Sequence, residues 1–242
     1  MKQLAFVLVA SCLALGCSCS RSGSDAPAGP AQSAGTSAAQ PPPVGGDVAR
    51  PTRTELPALA VGQWSKYRNT SKDGATEVTY KVVAEEDGGY WLEVVRGAAN
   101  AGTVLQMLIS IKNRSDPNSL DVHAARIRMP NGHVRELRGD MLRPTADGYR
   151  KSLAEIFAPS LAGAPQEDVS VPAGNFHGCY KRTQKVERQS KASEQTVWVH
   201  TDVPISGIVK SEETDGSGKT ELLTWGTSGA KSELNAKPTP EE

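Results

Sequence analysis

Of 242 residues, 27 are Lys or Arg and 27 are Asp or Glu, so the chain carries no formal net charge and no bulk field that would draw it to nucleic acid or an acidic surface. Aromatic residues are only 5% of the total, and none falls in the polar stretch 21–57. The roughly 180 residues beyond that stretch suffice for one domain with a real core.

Met1-Lys2-Gln3 opens the chain, and Leu4 to Leu15 is almost wholly apolar. This run of about 12 residues is shorter than the ~20 a membrane-spanning helix needs. With the small residues that follow, it reads as a secretory signal over 1–16. Ala14-Leu15-Gly16-Cys17 resembles the lipobox of bacterial lipoproteins. The resemblance implies that Cys17 receives diacylglycerol, that the preceding peptide is removed and that the new amino group is acylated. Val9-Ala10-Ser11-Cys12 fits the same local pattern but leaves too short an apolar run, so Cys17 is preferred and Cys12 is the alternative. Each buried acyl CH₂ contributes ~0.8 kcal/mol, which makes release of several chains slow. In enterobacterial lipoproteins an Asp after the anchor favours inner-membrane retention. Ser18 stands there, which points to the periplasmic side of the outer membrane.

Residues 17–57 form the expected tether, rich in Ala, Gly, Ser, Pro and Gln and too poor in apolar area to offset the entropy of ordering. A coil of ~37 residues spans roughly 35 Å. After processing only Cys19 and Cys179 remain as thiols; Cys179 reads as a small buried hydrophobe in a strand.

From 58 to 230 the pattern is that of a single β-rich domain. Period-two alternation predicts strands over 64–68, 77–85, 90–96 and 120–129, and the strongly apolar run 104–111 reads as a central strand. Asp87-Gly88-Gly89 and Pro130-Asn131-Gly132 are turns. Over 150–161 the apolar residues Leu153, Ile156, Phe157 and Leu161 take helical spacing, and Pro159 frays the last turn. Strands return at 176–186, with Phe176, Gly178 and Tyr180 on one face, and at 196–200, 208–213 and 221–225. Residues 231–242 read as a flexible tail. The expected fold is mainly β: a curved antiparallel sheet or half-barrel with one or two short helices. Half-polar alternation argues against a buried parallel sheet.

Three stretches carry a resemblance: Val61-Gly62-Gln63-Trp64-Ser65-Lys66-Tyr67, the run from Val171-Pro172-Ala173-Gly174 through Phe176 to Cys179, and the run from Trp198 through Pro204, Gly207, Lys210 and Glu212. Together they resemble uncharacterised bacterial exported lipoproteins, loosely akin to the lipoprotein carrier and receptor fold. That kinship implies an incomplete β-barrel closed by helices over an apolar cavity. The residues also have structural roles: Gly174 launches a strand after a tight turn, Pro204 and Gly207 bracket a bend, and Lys210 and Glu212 share a strand face.

Three chemistries are open. Trp64, Tyr80, Leu92, Leu108 and Phe157 are candidates to line a site for a lipid or other apolar ligand in the sheet's concavity. His177, Cys179 and His200 offer two imidazoles and a thiolate, a donor set that suits Zn²⁺, but lack a fourth ligand. Arg126, Arg128, Arg135, Arg138 and Arg143 cluster in sequence, interrupted by Glu136 and Asp140, as on a solvated hairpin rim. No nucleophile elbow, phosphate loop, dinucleotide fingerprint or His-Glu-x-x-His helix occurs in the sequence. The expected function is a non-catalytic envelope lipoprotein with a structural or adaptor role, with ligand carriage and a metal or Cys-His enzyme as alternatives. It needs no cofactor. Its partners are the membrane, through acyl chains, and a lipid or envelope protein; nucleic acid is not among them.

Overall fold

A computed structural model describes residues 45–97, 103–128, 132–188, 191–234 and 239–240. The proposed signal segment, Cys17 and the tether to residue 44 lie outside the described residues. The fold is mainly β, built on one open sheet. Its strands are β1 (Gly46–Val48), β2 (Trp64–Ser71), β3 (Gly74–Glu86), β4 (Gly89–Arg96), β5 (Thr103–Ile111), β6 (Leu120–Arg128), β7 (Val134–Arg138), β8 (Gln166–Val171), β9 (Gly174–Arg188), β10 (Lys191–Val199), β11 (Ile208–Glu213), β12 (Gly218–Gly226) and β13 (Thr239–Pro240).

Two meanders meet side by side. The order β9-β10-β11-β12 continues into β2-β3-β4-β5-β6-β7, because β12 pairs antiparallel with β2. Short turns such as Asp87-Gly88, between the paired residues Glu86 and Gly89, keep sequential strands adjacent, as the alternating pattern predicts. The helix α1 (Gly139–Phe157) connects β7, near one end of this order, to β8 at the other. Its residues Leu142, Leu153, Ala154 and Phe157 pack against Val78, Leu92, Leu105, Met107 and Leu120 from one face of the sheet. Tyr80 meets Phe157 edge to face at 5.9 Å between ring centres and Tyr67 at 5.8 Å.

α1 begins at Gly139 and not at 150 as the spacing predicts, and it ends at Phe157, ahead of Leu161. Pro144 and Gly148 inside it act as local breakers. The buried Leu142 ties the first turn to the core, and tertiary packing of this kind outweighs local propensity. Asp140 in the first turn suits the positive end of the helix dipole.

The folded part is longer at both ends than the range 58–230 read from the sequence. Residues 45–60 pack on the sheet, with Leu56 and Leu59 buried. At the other end, the indole N–H of Trp64 donates to the Ser228 carbonyl at 3.1 Å. The carboxylate of Glu93, fully buried, accepts from Gln106, Ser232 and the Glu233 backbone N–H. Lys81 bridges Glu93 and Glu233 at 3.4 and 2.8 Å. Residues 231–234 therefore cover part of the face opposite α1. Among the described residues no helix is long and apolar enough to cross a membrane.

Candidate functional site

A bulge in β9 bears on two of the three possible metal ligands, leaving His177 at the surface while Cys179 is buried. The register against β8 pairs Glu167 with Cys179 but Val169 with Phe176, so His177 and Gly178 bulge opposite Asp168. Asp168 holds that bulge through both oxygens: one accepts from the Gly178 N–H at 2.8 Å, the other lies 2.9 Å from His177 Nδ1. These two bonds, His177 first, hold the Asp168 carboxyl below its ordinary pKa. The extra residue ends the simple alternation read from the sequence. Phe176 and Cys179 join one buried cluster and Tyr180 another, so Phe176, Gly178 and Tyr180 do not share a face as expected. The side chain of His177 is 45% exposed. Cys179 and His200 are fully buried, and burial pushes the Cys179 thiol up to about 12. Among the described residues no three His, Cys, Asp or Glu side chains gather as a metal site.

The five candidate ligand-lining residues fall on two faces. Tyr80, Leu92 and Phe157 pack within the core under α1. Leu108 packs on the opposite face with Trp91 and Ala124, and Trp64, opposite Lys81 in the β2–β3 register, belongs to that outer face too. There Arg126 stacks 3.7 Å over the Trp91 ring and pairs with Glu136 at 2.7 Å, while Arg138 pairs with Glu136 and with Glu86. Arg126 and Arg138 of the arginine cluster are thus ion-paired on this rim. Lys210 and Glu212 pair at 2.8 Å along β11, as their spacing predicts.

The two sequence motifs meet somewhere the sequence does not signal. Residues 45–56 run as a strap across β9 and the 200–207 loop. β1 pairs parallel with β9, Gly46 to Gly174 through Val48 to Phe176. Tyr180 pairs at once with Gln166 of β8 and Val199 of β10, and Gly174 pairs with both β8 and β1. So β8 holds one edge of β9, and β1 and β10 share the other. Further along, the Ala49 carbonyl lies 2.9 Å from His200 Nε2. Arg50 reaches Gln166 at 3.2 Å. Arg53 donates to the Thr201 carbonyl at 3.0 Å and pairs with Asp202 at 3.3 Å. The Tyr180 hydroxyl donates to the Arg53 carbonyl at 3.2 Å. Leu56 enters a pocket of Leu161, Tyr180, Val197 and Val199.

The motif glycines make room for this strap. A Cβ on Gly174 would overlap the Gly46 carbonyl, one on Gly178 would lie 2.6 Å from Arg50 Cγ, and one on Gly207 would overlap Leu56 Cδ2. Glycine lets backbones approach this closely. Beneath, Ser206 in the Pro204–Gly207 bend meets the buried Tyr67 hydroxyl at 3.0 Å, and Arg114 donates to the Ile205 carbonyl. Sequence reasoning missed the strap, Asp168 and Arg114. The spacing of three glycines at motif positions was the one available signal, and it named no partner.

No protein-family model and no curated protein matches the chain. Among solved structures, the chain is similar to a DUF1329 family protein from Desulfovibrio piger ATCC 29098. The match has 12% identity and a TM-score of 0.29, and covers 68% of this chain and 82% of that one.

Proposed function

We propose that this chain is a non-catalytic exported lipoprotein. Acyl chains on Cys17 hold it at a membrane, on the periplasmic side of the outer membrane, and the folded part serves as a structural or adaptor element. The observation that supports this reading is how the chain enters the fold. Residues 45–56 lead straight from the proposed tether into paired backbone on β9 and into the Leu56 pocket. A position or pull set at the membrane is therefore passed to the sheet through hydrogen bonds and a buried anchor. An adaptor partner would pair with an exposed strand at an end of the sheet.

Radiolabelled palmitate tests the anchor: the full chain takes up label, Cys17→Ala does not, and Cys12→Ala does. A wild-type product without label, recovered in the soluble periplasmic extract, overturns the reading. Crosslinking in intact cells then traps one specific envelope protein; a diffuse monomer counts against the adaptor role.

Carriage of an amphiphile is a second reading, favoured by one group. Arg114 Nε and Nη1 are shielded from solvent without a hydrogen-bond partner among the described residues. Burial lowers its pKa to about 10, so it is still a cation at neutral pH. Its remaining N–H group donates to the neutral Ile205 carbonyl, and a shielded cation without a counter-ion carries a desolvation cost that an anionic headgroup would offset. Native mass spectra after incubation with acyl lipids check this. A single bound lipid that disappears in Arg114→Met supports carriage, and an unliganded wild type refutes it.

A further inference from the structure

We propose that the face opposite α1 carries a peptide-binding groove, occupied here by the chain's own residues 231–234, and that it takes a partner segment of the form Ser-Glu-aromatic in their place. The grip on these residues reads side chains one by one. Ser232 Oγ donates to Glu93 at 2.9 Å and accepts from Gln106 Nε2 at 2.8 Å. The Glu233 backbone N–H donates to both oxygens of Glu93, at 3.0 Å each. The Glu233 carboxylate pairs with Lys81 at 2.8 Å, and the same ammonium donates to the Lys231 carbonyl at 3.2 Å. The groups that make this grip form one row across the sheet. Lys81 of β3 stands opposite Glu93 of β4, Glu93 opposite Gln106 of β5, and Gln106 opposite Arg126 of β6. Their backbone positions are set by the strand register, and Glu93 and Gln106 are both buried.

The hold is of a kind that exchanges. Residues 231–234 form no strand and are attached through side chains and single backbone groups, so no ladder has to be unzipped. With this segment lifted off, water would hydrate Glu93. Any segment laid there must supply a hydroxyl and an N–H in return, a demand that selects a chemistry and not this segment alone. The last position decides which segment fits better. Leu234, half-buried, lines a cleft of about 190 Å³ with Val83, Ala84, Trp91 and Arg126, and a cavity of ~150 Å³ is enough for benzene. Leucine does not fill it. A ring there would meet the Arg126 guanidinium, already stacked 3.7 Å over Trp91, and a cation against an aromatic face is favourable. The chain's own segment is thus an undersized occupant whose advantage is its tether. A partner with Phe in the last place offsets that advantage by its fit.

Fluorescence anisotropy on the full chain is the test, with the labelled, amidated peptides Lys-Ser-Glu-Phe and Lys-Ser-Glu-Leu as probes. The Phe peptide is expected to bind about fivefold more tightly than the Leu peptide. Ser232→Ala loosens the chain's own segment and leaves the groove intact. It should tighten binding of both peptides about tenfold, because the competitor loses a hydrogen bond to a charged group and the open groove is populated more. Lys81→Met should erase the preference for Glu over Gln at the third peptide position. No binding at millimolar peptide, equal affinity for the two peptides, an affinity unchanged by Ser232→Ala, or an acidic preference that survives Lys81→Met overturns the proposal. If a variant does not fold, NMR of the wild type decides. The amide signals of 231–234 must leave their folded positions in step with peptide binding, and binding that leaves them in place overturns the proposal. The groove is separate from Cys17 and from the ends of the sheet, so the palmitate and crosslinking outcomes stand or fall without it.

Discussion

Replacing Gly207 by alanine measures how tightly the strap is seated, and Gly216 provides a matched control. Both glycines lie in the left-handed region, with φ of 70° and 71°. Each substitution therefore costs about 1–2 kcal/mol for placing a Cβ there, offset by about 0.4–1 kcal/mol from a stiffer unfolded chain. The surroundings differ. A Cβ on Gly216 meets nothing within 4 Å, whereas on Gly207 it overlaps Leu56 Cδ2 and lies 2.8 Å from Val199 Cγ1. Overpacking of a filled site costs about 1–3 kcal/mol. Gly207→Ala should thus lose about 2–4 kcal/mol and Gly216→Ala about 1 kcal/mol or less, read as urea midpoints at constant slope. Because the tighter contact is to Leu56, the double variant Leu56→Ala/Gly207→Ala should lose about 1–2 kcal/mol less than the sum of its parts. Equal losses at 207 and 216, or additivity within about 0.5 kcal/mol, would refute the idea that the motif glycine exists to admit the strap.

Three further outcomes are expected. Phe157→Ala removes a fully buried ring from the junction of α1 and the sheet. It should cost about 3–5 kcal/mol, measured by urea unfolding; a loss below about 1 kcal/mol would mean α1 is only loosely docked. Burial raises the Tyr67 hydroxyl to about 12, so its contribution is full below about pH 10 and is lost as pH rises through the folded value. Stability should fall there by up to about 1.4 kcal/mol per pH unit, less steeply in Tyr67→Phe; an unchanged slope in that variant counts against the assignment. The Cys179 thiol, buried and raised to about 12, should resist iodoacetamide at pH 8 in the folded chain and react once urea unfolds it. Peptide mapping separates it from the other cysteines, and rapid native labelling at 179 would contradict the buried placement.

Much of the sheet was legible because half-buried strands write their period into the sequence. Val78, Tyr80 and Val82, or Leu92 and Val94, recur at every second position and land on the α1-covered core as read. The helix was legible only where Leu153 and Phe157 fall at helical spacing; its first half, interrupted by Pro144 and Gly148, is held by tertiary contacts that local propensity opposes. The candidate metal set failed for a similar reason. The reading assumed strict alternation through 176–180, and a bulge clasped by Asp168, ten residues before Gly178, reversed the faces.

What the sequence by itself determined is the class of fold and some of its special positions: alternating strands, one amphipathic helix, a turn glycine at 174 and a bend glycine at 207. Tertiary structure alone decided what those glycines are for. The strap pairs at only three positions, with a strand so distant that Asp47 bonds Asn175 128 residues away. So brief and remote a pairing imposes no period on its own residues, because its stability comes from a surface that exists only after β9, β10 and the 200–207 loop have come together.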